Sequence, residues 1–185
     1  MRAGVLALQG DFAEHRRALE ACGASSVEVR TLEDLEGVDA LVIPGGESTT
    51  MLKLIDRYDL RDPLLKRIEA GMPVFGTCAG AIVLAAWTSD GEPPLGVLDI
   101  GVRRNAYGRQ RESFEAEVEV AGVGVVPAVF IRAPVFEAPG PGVEVLGTWA
   151  EHPVAVRSGN LLAIAFHPEL AGTLSMHRYF LEELA

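Results

Sequence analysis

Short apolar runs alternate with stretches of helical period through the first hundred residues of this chain. Gly4-Val5-Leu6-Ala7-Leu8 reads as a buried strand. Phe12 to Cys22, with Glu14, Arg16, Arg17 and Glu20 as its charged positions, reads as an amphipathic helix stopped by Gly23. Ser26 to Arg30 predicts a second strand, and Ala40-Leu41-Val42-Ile43 a third that ends at Pro44-Gly45-Gly46. Ser48 or Thr49 is placed to cap a helix reaching about Tyr58, and Pro63 to Ala70 predicts another, closed by Gly71. Pro73-Val74-Phe75-Gly76 is a fourth strand, followed by an Ala-rich helix expected from Ala79 to Trp87. Continuous apolar strands alternating with helices are the pattern of a parallel sheet covered on both faces.

After Pro93-Pro94 the texture changes. Phe114 to Val120 alternates apolar and acidic residues, the period of a half-exposed strand. Val125 to Ile131, Val143 to Trp149, Val154 to Arg157 and Leu161 to Phe166 follow as strands, with Ser158-Gly159-Asn160 as a hairpin signal between the last two. Thr173 to Leu184 predicts a closing helix. No repeat, low-complexity tract or linker interrupts the chain. The expectation is one α/β domain over residues 1–185, with a central, mostly parallel sheet, helices on both faces and a C-terminal antiparallel extension.

Composition narrows the class. A chain of 185 residues can bury a full core without disulfides or a structural metal. Its two cysteines, Cys22 and Cys78, and four histidines form no ligand cluster with metal-site spacing, so no metal or cofactor is expected. The net charge of −10 argues against binding nucleic acid or an anionic membrane, because the long-range field repels polyanions. The opening apolar run is too short for a signal peptide, and no stretch approaches the ~18 apolar residues that span a bilayer. A soluble, cytoplasmic protein is the expectation. The basic residues are almost all arginine, and Asn and Gln are scarce, a usage that suits a thermophile and equally follows genomic base composition.

Four segments carry chemistry. Gly76-Thr77-Cys78-Ala79-Gly80 lies at a strand-to-helix junction, with glycines two residues either side of the cysteine. That is the layout of a nucleophile elbow: a sharp, strained turn that exposes its central side chain beside free N–H groups at a helix start. The amide of Ala79 would face an oxyanion formed on a carbonyl attacked by Cys78. A buried, inert cysteine is the alternative. Ala165-Phe166-His167-Pro168-Glu169 ends an apolar strand; proline keeps the preceding residue extended, and period two puts His167 and Glu169 on one face. An imidazole beside a carboxylate can take up and return a thiol proton while the acid holds its tautomer. His152-Pro153 has the same start but Val154 where the acid is needed. His15 and His177 sit on helical patterns without comparable neighbours and read as core or surface side chains.

Pro44-Gly45-Gly46-Glu47-Ser48-Thr49-Thr50 follows the third strand directly, at the carboxyl end where α/β folds bind ligands. Its glycine amides could complete an oxyanion hole, or the segment is only a turn and a helix cap; its spacing matches neither nucleotide-binding glycine fingerprint. Finally, Arg103-Arg104-Asn105-Ala106-Tyr107-Gly108-Arg109-Gln110-Arg111 concentrates cations in an acidic chain, and Arg132 follows the apolar Phe130-Ile131. Guanidinium forks suit a substrate carboxylate; a solvated charge cluster or a partner surface are the alternatives.

Together these segments resemble the class I, triad-type glutamine amidotransferases, in which Gly-x-Cys-x-Gly and His-x-Glu are the nucleophile and its relay. Pro-Gly-Gly-Glu-Ser-Thr, Arg-Asn-Ala-Tyr-Gly-Arg-Gln-Arg-Glu-Ser-Phe and Phe-Ile-Arg-Ala-Pro are similar, more narrowly, to the glutaminase subunits of pyridoxal 5′-phosphate synthases. The likeness runs from Leu8-Gln9-Gly10-Asp11 to His167-Pro168-Glu169. It implies a flavodoxin-like fold, Cys78 as nucleophile, His167 as base and Glu169 as its orienter. It also implies L-glutamine held by Gly46, Glu47, Ser48, Arg104, Ile131 and Arg132, with Gly46 and Ala79 as the oxyanion amides. The implied reaction is hydrolysis of L-glutamine to L-glutamate and ammonia. The ammonia would pass to a synthase subunit, in a hetero-oligomer that makes pyridoxal 5′-phosphate (vitamin B6), and activity would be low without that partner. A stand-alone Cys hydrolase on the same fold, such as a γ-glutamyl hydrolase or peptidase, and a noncatalytic binding module are the competing readings.

Overall fold

The computed structural model describes residues 1–104 and 113–185. In chain order its elements are β1 (Arg2–Leu6), α1 (Phe12–Ala21), β2 (Ser25–Val29), α2 (Leu32–Glu36), β3 (Ala40–Ile43), α3 (Ser48–Arg57), α4 (Arg61–Glu69), β4 (Val74–Thr77) and α5 (Ala79–Leu84). There follow β5 (Ala85–Thr88), β6 (Leu98–Arg103), β7 (Ser113–Val120), β8 (Gly124–Ile131), β9 (Val135–Glu137), β10 (Glu144–Trp149), β11 (His152–Ser158), β12 (Leu161–Ile164) and α6 (Ser175–Glu183), with a 3₁₀ turn at Pro168–Leu170.

The main sheet has seven strands in the order β10-β11-β12-β4-β3-β1-β2. From β2 to β12 every pair is parallel, whereas β11 and β10 run antiparallel. The β2-β1-β3-β4-β12 order is the doubly wound, flavodoxin-like one, with its switch of direction beside β1 and β3. Strands β3, β4 and β12 are buried at every residue, which is why they read as unbroken apolar runs. The core is continuous from β1 through β12 and takes in Met176 and Phe180 of α6.

The expected antiparallel extension divides into three parts. β10 and β11 extend the main sheet, β7 and β8 form a separate hairpin, and β5, β6 and β9 make a small mixed sheet. The hairpin packs on the main sheet: Ala121 N donates to Leu146 O at 2.7 Å, and the Phe114 ring lies 4.5 Å, centre to centre, from Trp149 of β10. The Ser158-Gly159-Asn160 signal is a hairpin, with Ser158 paired to Leu161. No described helix is long and apolar enough to cross a membrane.

Several boundaries differ from the sequence expectation, each for a physical reason. The Ala-rich helix ends at Leu84 and not Trp87, because the carbonyls of Val83, Leu84 and Ala85 accept from the amides of Leu95, Val97 and Gly96. Ala85 turns into β5 instead. Helix α3 is capped by Glu47, not by Ser48 or Thr49: its carboxylate accepts from Thr49 N at 3.1 Å and Thr50 N at 2.7 Å. Helix α2, missed in the sequence, carries a capping box between Thr31 and Asp34. Strands β6 and β9 were also absent from the reading.

Candidate active site

The carboxyl ends of β3 and β4, and the turns that follow β1 and β12, converge on one cleft of about 360 Å³, the size range of a small-ligand pocket. Cys78 sits there between β4 and α5 with φ 47° and ψ −103°. An L-residue in that conformation stores roughly 1–3 kcal/mol of strain and persists only where its surroundings hold it. Cys78 N donates to Ile164 O at 2.8 Å, continuing the β4–β12 ladder into the turn. Behind it, α5 crosses so close to β3 that a Cβ on Gly80 would overlap the carbonyl of Ile43. The two glycines of the elbow therefore do what the spacing predicts.

His167 reaches the same cleft from the end of β12. Its N–H donates to Val129 O at 2.8 Å, and its ring is 4% exposed. Nδ1 lies 2.7 Å from Glu169 Oε1, and the Glu169 side chain is fully buried. The geometry that joins them is not the expected extended run. His167 alone is extended (φ −107°, ψ 91°), and the 3₁₀ turn beginning at Pro168 folds Glu169 back under the ring. Burial works against a charged imidazole here, but hydrogen bonds to Cys78 and Glu169, with their charges, outweigh it and raise the His167 pKa to about 10.

The turn after β3 brings Gly46, Glu47 and Ser48 to the cleft, and the end of β8 brings Ile131 and Arg132. Ile131 O is 3.9 Å from Cys78 Sγ. Ala79, the first residue of α5, lines the cleft beside the cysteine. Arg104 lies across the mouth, 3.2 Å from both Glu47 Oε1 and Thr49 Oγ1. Burial raises the proton affinity of Glu47, but four hydrogen bonds from Thr50 and Thr49 prevail and hold its pKa at about 2. Arg103 points elsewhere, paired with Glu137 at 2.9 Å. The remainder of the basic run, Asn105 through Glu112 with Tyr107, Arg109 and Arg111, lies outside the described residues.

Cys78, His167, Gly46, Glu47, Ser48, Ala79, Arg104, Ile131 and Arg132 thus line this cleft and Glu169 stands directly behind it, whereas Arg103 turns away. The sequence reading missed Gln9, Asp11, Ile82 and Pro134 as lining residues. Gln9 Oε1 accepts from Glu47 N at 2.7 Å and ties the β1 and β3 turns together. Asp11 Oδ2 stands 3.6 Å from His167 Nδ1. Their signal was available: polar residues at the carboxyl end of the first parallel strand. Asp11, His167 and Glu169 bring ligand atoms within 4.8 Å of one another, yet the 2.7 Å contact already commits His167 Nδ1 to Glu169. Chemically, the cleft can activate a thiol against a carbonyl, hold the resulting oxyanion on backbone amides, and return a proton to a leaving group.

Comparison with known proteins gives the same direction. The profile of the SNO glutamine amidotransferase family matches residues 5–185. The pyridoxal 5′-phosphate synthase subunit PdxT of Pelotomaculum thermopropionicum is 56% identical over 99% of this chain and 95% of its own length. The subunit of the same name from Thermus thermophilus is 55% identical over 97% of this chain and 95% of its own. A crystal structure described as a glutamine amidotransferase superposes with a TM-score of 0.94 at 55% identity, covering 97% of each chain.

Proposed function

This chain belongs to the SNO glutamine amidotransferase family, and from that premise we propose that it hydrolyses L-glutamine and hands the ammonia to a pyridoxal 5′-phosphate synthase subunit. The observation that carries the reading is the shared cleft: a cysteine on a strained elbow, faced by a buried His–Glu pair. Cys78 Sγ attacks the side-chain amide carbon of glutamine with its proton already resting on His167, whose raised proton affinity keeps the ring an imidazolium. The oxyanion is held by the amides of Gly46 and Ala79. His167 then gives its proton to the departing nitrogen, and ammonia leaves. With the sulfur acylated, the contribution of Cys78 to the proton affinity of His167 is gone, so the ring is a better acid at the step that needs one. A water, deprotonated by His167, attacks the thioester through a second oxyanion and releases L-glutamate.

For substrate binding, the two cations divide the work. Arg104 is engaged with Glu47 and Thr49, whereas Arg132 has no ion pair among the described residues and stands at the cleft on the strand end beside Cys78. Arg132 therefore takes the α-carboxylate. The Glu47 carboxylate, anionic and fixed by its cap, faces the α-ammonium. The likeness to subunits named for pyridoxal 5′-phosphate synthase supports a synthase partner in a cytoplasmic hetero-oligomer.

The test is ammonia release from glutamine by the chain with and without the candidate synthase subunit. Wild type with the partner should turn over glutamine. Cys78→Ala should abolish turnover, and His167→Asn should lower kcat by about 10²–10⁴-fold. Equal turnover by the free chain and the complex would remove the partner dependence. Peptide hydrolysis without glutaminase activity would favour the stand-alone hydrolase.

A further inference from the structure

Behind the His–Glu pair a polar seam runs deeper into the core. His15, on α1, and His177, on α6, are both completely buried. His15 Nδ1 lies 2.8 Å from His177 Nε2. On its other side, His15 Nε2 stands 3.0 Å from Thr77 Oγ1 and 3.3 Å from Glu169 Oε2. Among the described residues neither Glu169 Oε2 nor His177 Nδ1 has a hydrogen-bond partner of full geometry, so the approach of His15 Nε2 to Glu169 Oε2 is a contact at ion-pair distance. The sequence reading left His15 and His177 without comparable neighbours; helices α1 and α6, packed on one side of the sheet, bring them onto the triad acid. The side chains at positions 78, 167, 169, 15 and 177 form one chain of contacts from the cleft to the core.

We propose that His15 is a positioning residue of the relay: its Nε2–H holds the second oxygen of Glu169, and His177 fixes the tautomer in which it does so. This inference rests on the reading of Cys78, His167 and Glu169 as the catalytic triad.

The hydrogen positions follow from exclusion. A carboxylate oxygen cannot donate, so a bare Nε2 on His15 would set two lone pairs against each other at 3.3 Å in a dry interior. Nε2 must carry a hydrogen, shared between Glu169 Oε2 and Thr77 Oγ1. Burial first, then the neighbouring His177 and His167, push His15 well below the usual histidine range, so the ring is neutral and its Nδ1 is bare. A bare Nδ1 needs a donor, and His177 Nε2–H supplies it at 2.8 Å. Burial also lowers His177, to about 4, leaving its own Nδ1 bare. The single partnerless atom at the end of the chain is then an acceptor and not an N–H, the less costly kind of orphan.

One assignment of protons satisfies every contact. Its consequence is that Glu169 receives a donor on each oxygen: His167 Nδ1–H on Oε1 and His15 Nε2–H on Oε2. Two donors fix the plane of the carboxylate, and so fix the ring that Cys78 depends on. The seam also ties Thr77, the residue before the nucleophile, to the same imidazole.

The experiment has a structural and a kinetic arm. In the first, ring ¹⁵N shifts of wild-type protein report tautomers; His15 and His177 should both be Nε2–H at pH 7.5, and a His15 with its proton on Nδ1 overturns the proposal. In the second, the complex with the synthase subunit is assayed across pH. His15→Leu should lower kcat/KM about 10–10²-fold, with KM for glutamine unchanged. It should also lower the alkaline limb, since a Glu169 carboxylate no longer held in place supports the His167 imidazolium less well. The other charged or titratable groups around Glu169 stay constant in that comparison: His167, Asp11, Cys78, and Glu14 with Arg17 at the outer edge. His15→Gln, which can place an N–H near the same point, should restore most of both effects. His177→Leu should reproduce them more weakly by freeing the His15 tautomer. An unshifted alkaline limb in His15→Leu, or His15→Gln no better than His15→Leu, overturns the proposal. Cys78→Ala in the same series separates the two readings: if it retains turnover, the triad reading fails whatever His15 does.

Discussion

At the scale of single residues, burial acts on His167 and His177 alike, and their partners decide the outcome. His167 has a carboxylate oxygen at 2.7 Å and a nucleophilic sulfur, and its pKa rises to about 10. His177, whose contact is a neutral ring, falls to about 4. The difference is whether a charge compensates the lost hydration. For activity this places the alkaline limb of kcat/KM, measured on the complex, well above 6.5 and towards 10, because the free enzyme keeps its imidazolium to that pH. A limb near 6.5 would mean that Glu169 and Cys78 do not act on the ring. Glu47 is the opposite case: held at about 2 by its cap bonds, it stays ionised throughout the working range and contributes no limb. Glu47→Gln should raise KM for glutamine and, by weakening the α3 cap, lower the unfolding free energy by about 1 kcal/mol in urea titration.

Among the elements, the turn after β3 governs precision. A Cβ on Gly45 would fall onto Cε1 of His167 and within 2.9 Å of its Nδ1, so the strand end and the His167 ring share one space. Gly45→Ala should therefore lower kcat by about 10²-fold, the scale of a 1 Å misplacement. Overpacking of this kind costs only about 1–3 kcal/mol of stability, which a urea titration would show as a folded but slow enzyme. The same contrast explains what could be read beforehand. β3, β4 and the elbow were legible because their constraint is local: an apolar run, then glycines spaced around a cysteine. His167 and Glu169 were legible for the same reason, although a 3₁₀ turn, not an extended run, joins them. The end of α5 was not, since Ala85-Ala86-Trp87 continues a helical composition and only the distant amides of Leu95, Gly96 and Val97 stop it. Nor was the place of His15 beside Glu169: the contact exists only after α1 and the end of β12 meet across the sheet. Local motifs announced where the cysteine and the His–Glu pair stand; whatever supports them arrives through tertiary packing.

For the whole molecule, the buried seam makes acid the weak side of the fold. His177 is neutral in the folded chain down to about pH 4 but takes a proton near 6.5 once unfolded. Between those values the unfolded chain binds more protons, so stability rises with pH across that window and falls as pH drops through it. The lowered His15 acts in the same direction. His167 has the other sign: its stabilising proton is fully bound below 6.5 in both states, and its contribution is lost only as pH rises towards about 10. Between pH 7.5 and 6.5 its contribution still grows by about 1 kcal/mol, so it offsets part of the loss there and none below pH 6.5. A shift from 6.5 to about 4 gives His177 alone a loss of about 2 kcal/mol between pH 7.5 and pH 5, a large part of the 5–15 kcal/mol typical of a folded domain. Urea titrations at those two pH values give the net change in wild type, from which the share of His177 is read by comparison with a variant lacking its ring. In His177→Leu the same interval should cost about 2 kcal/mol less than in wild type, because the titrating ring is absent from both states. Equal losses in the two proteins would mean that the seam's histidines do not set the acid limit of the fold.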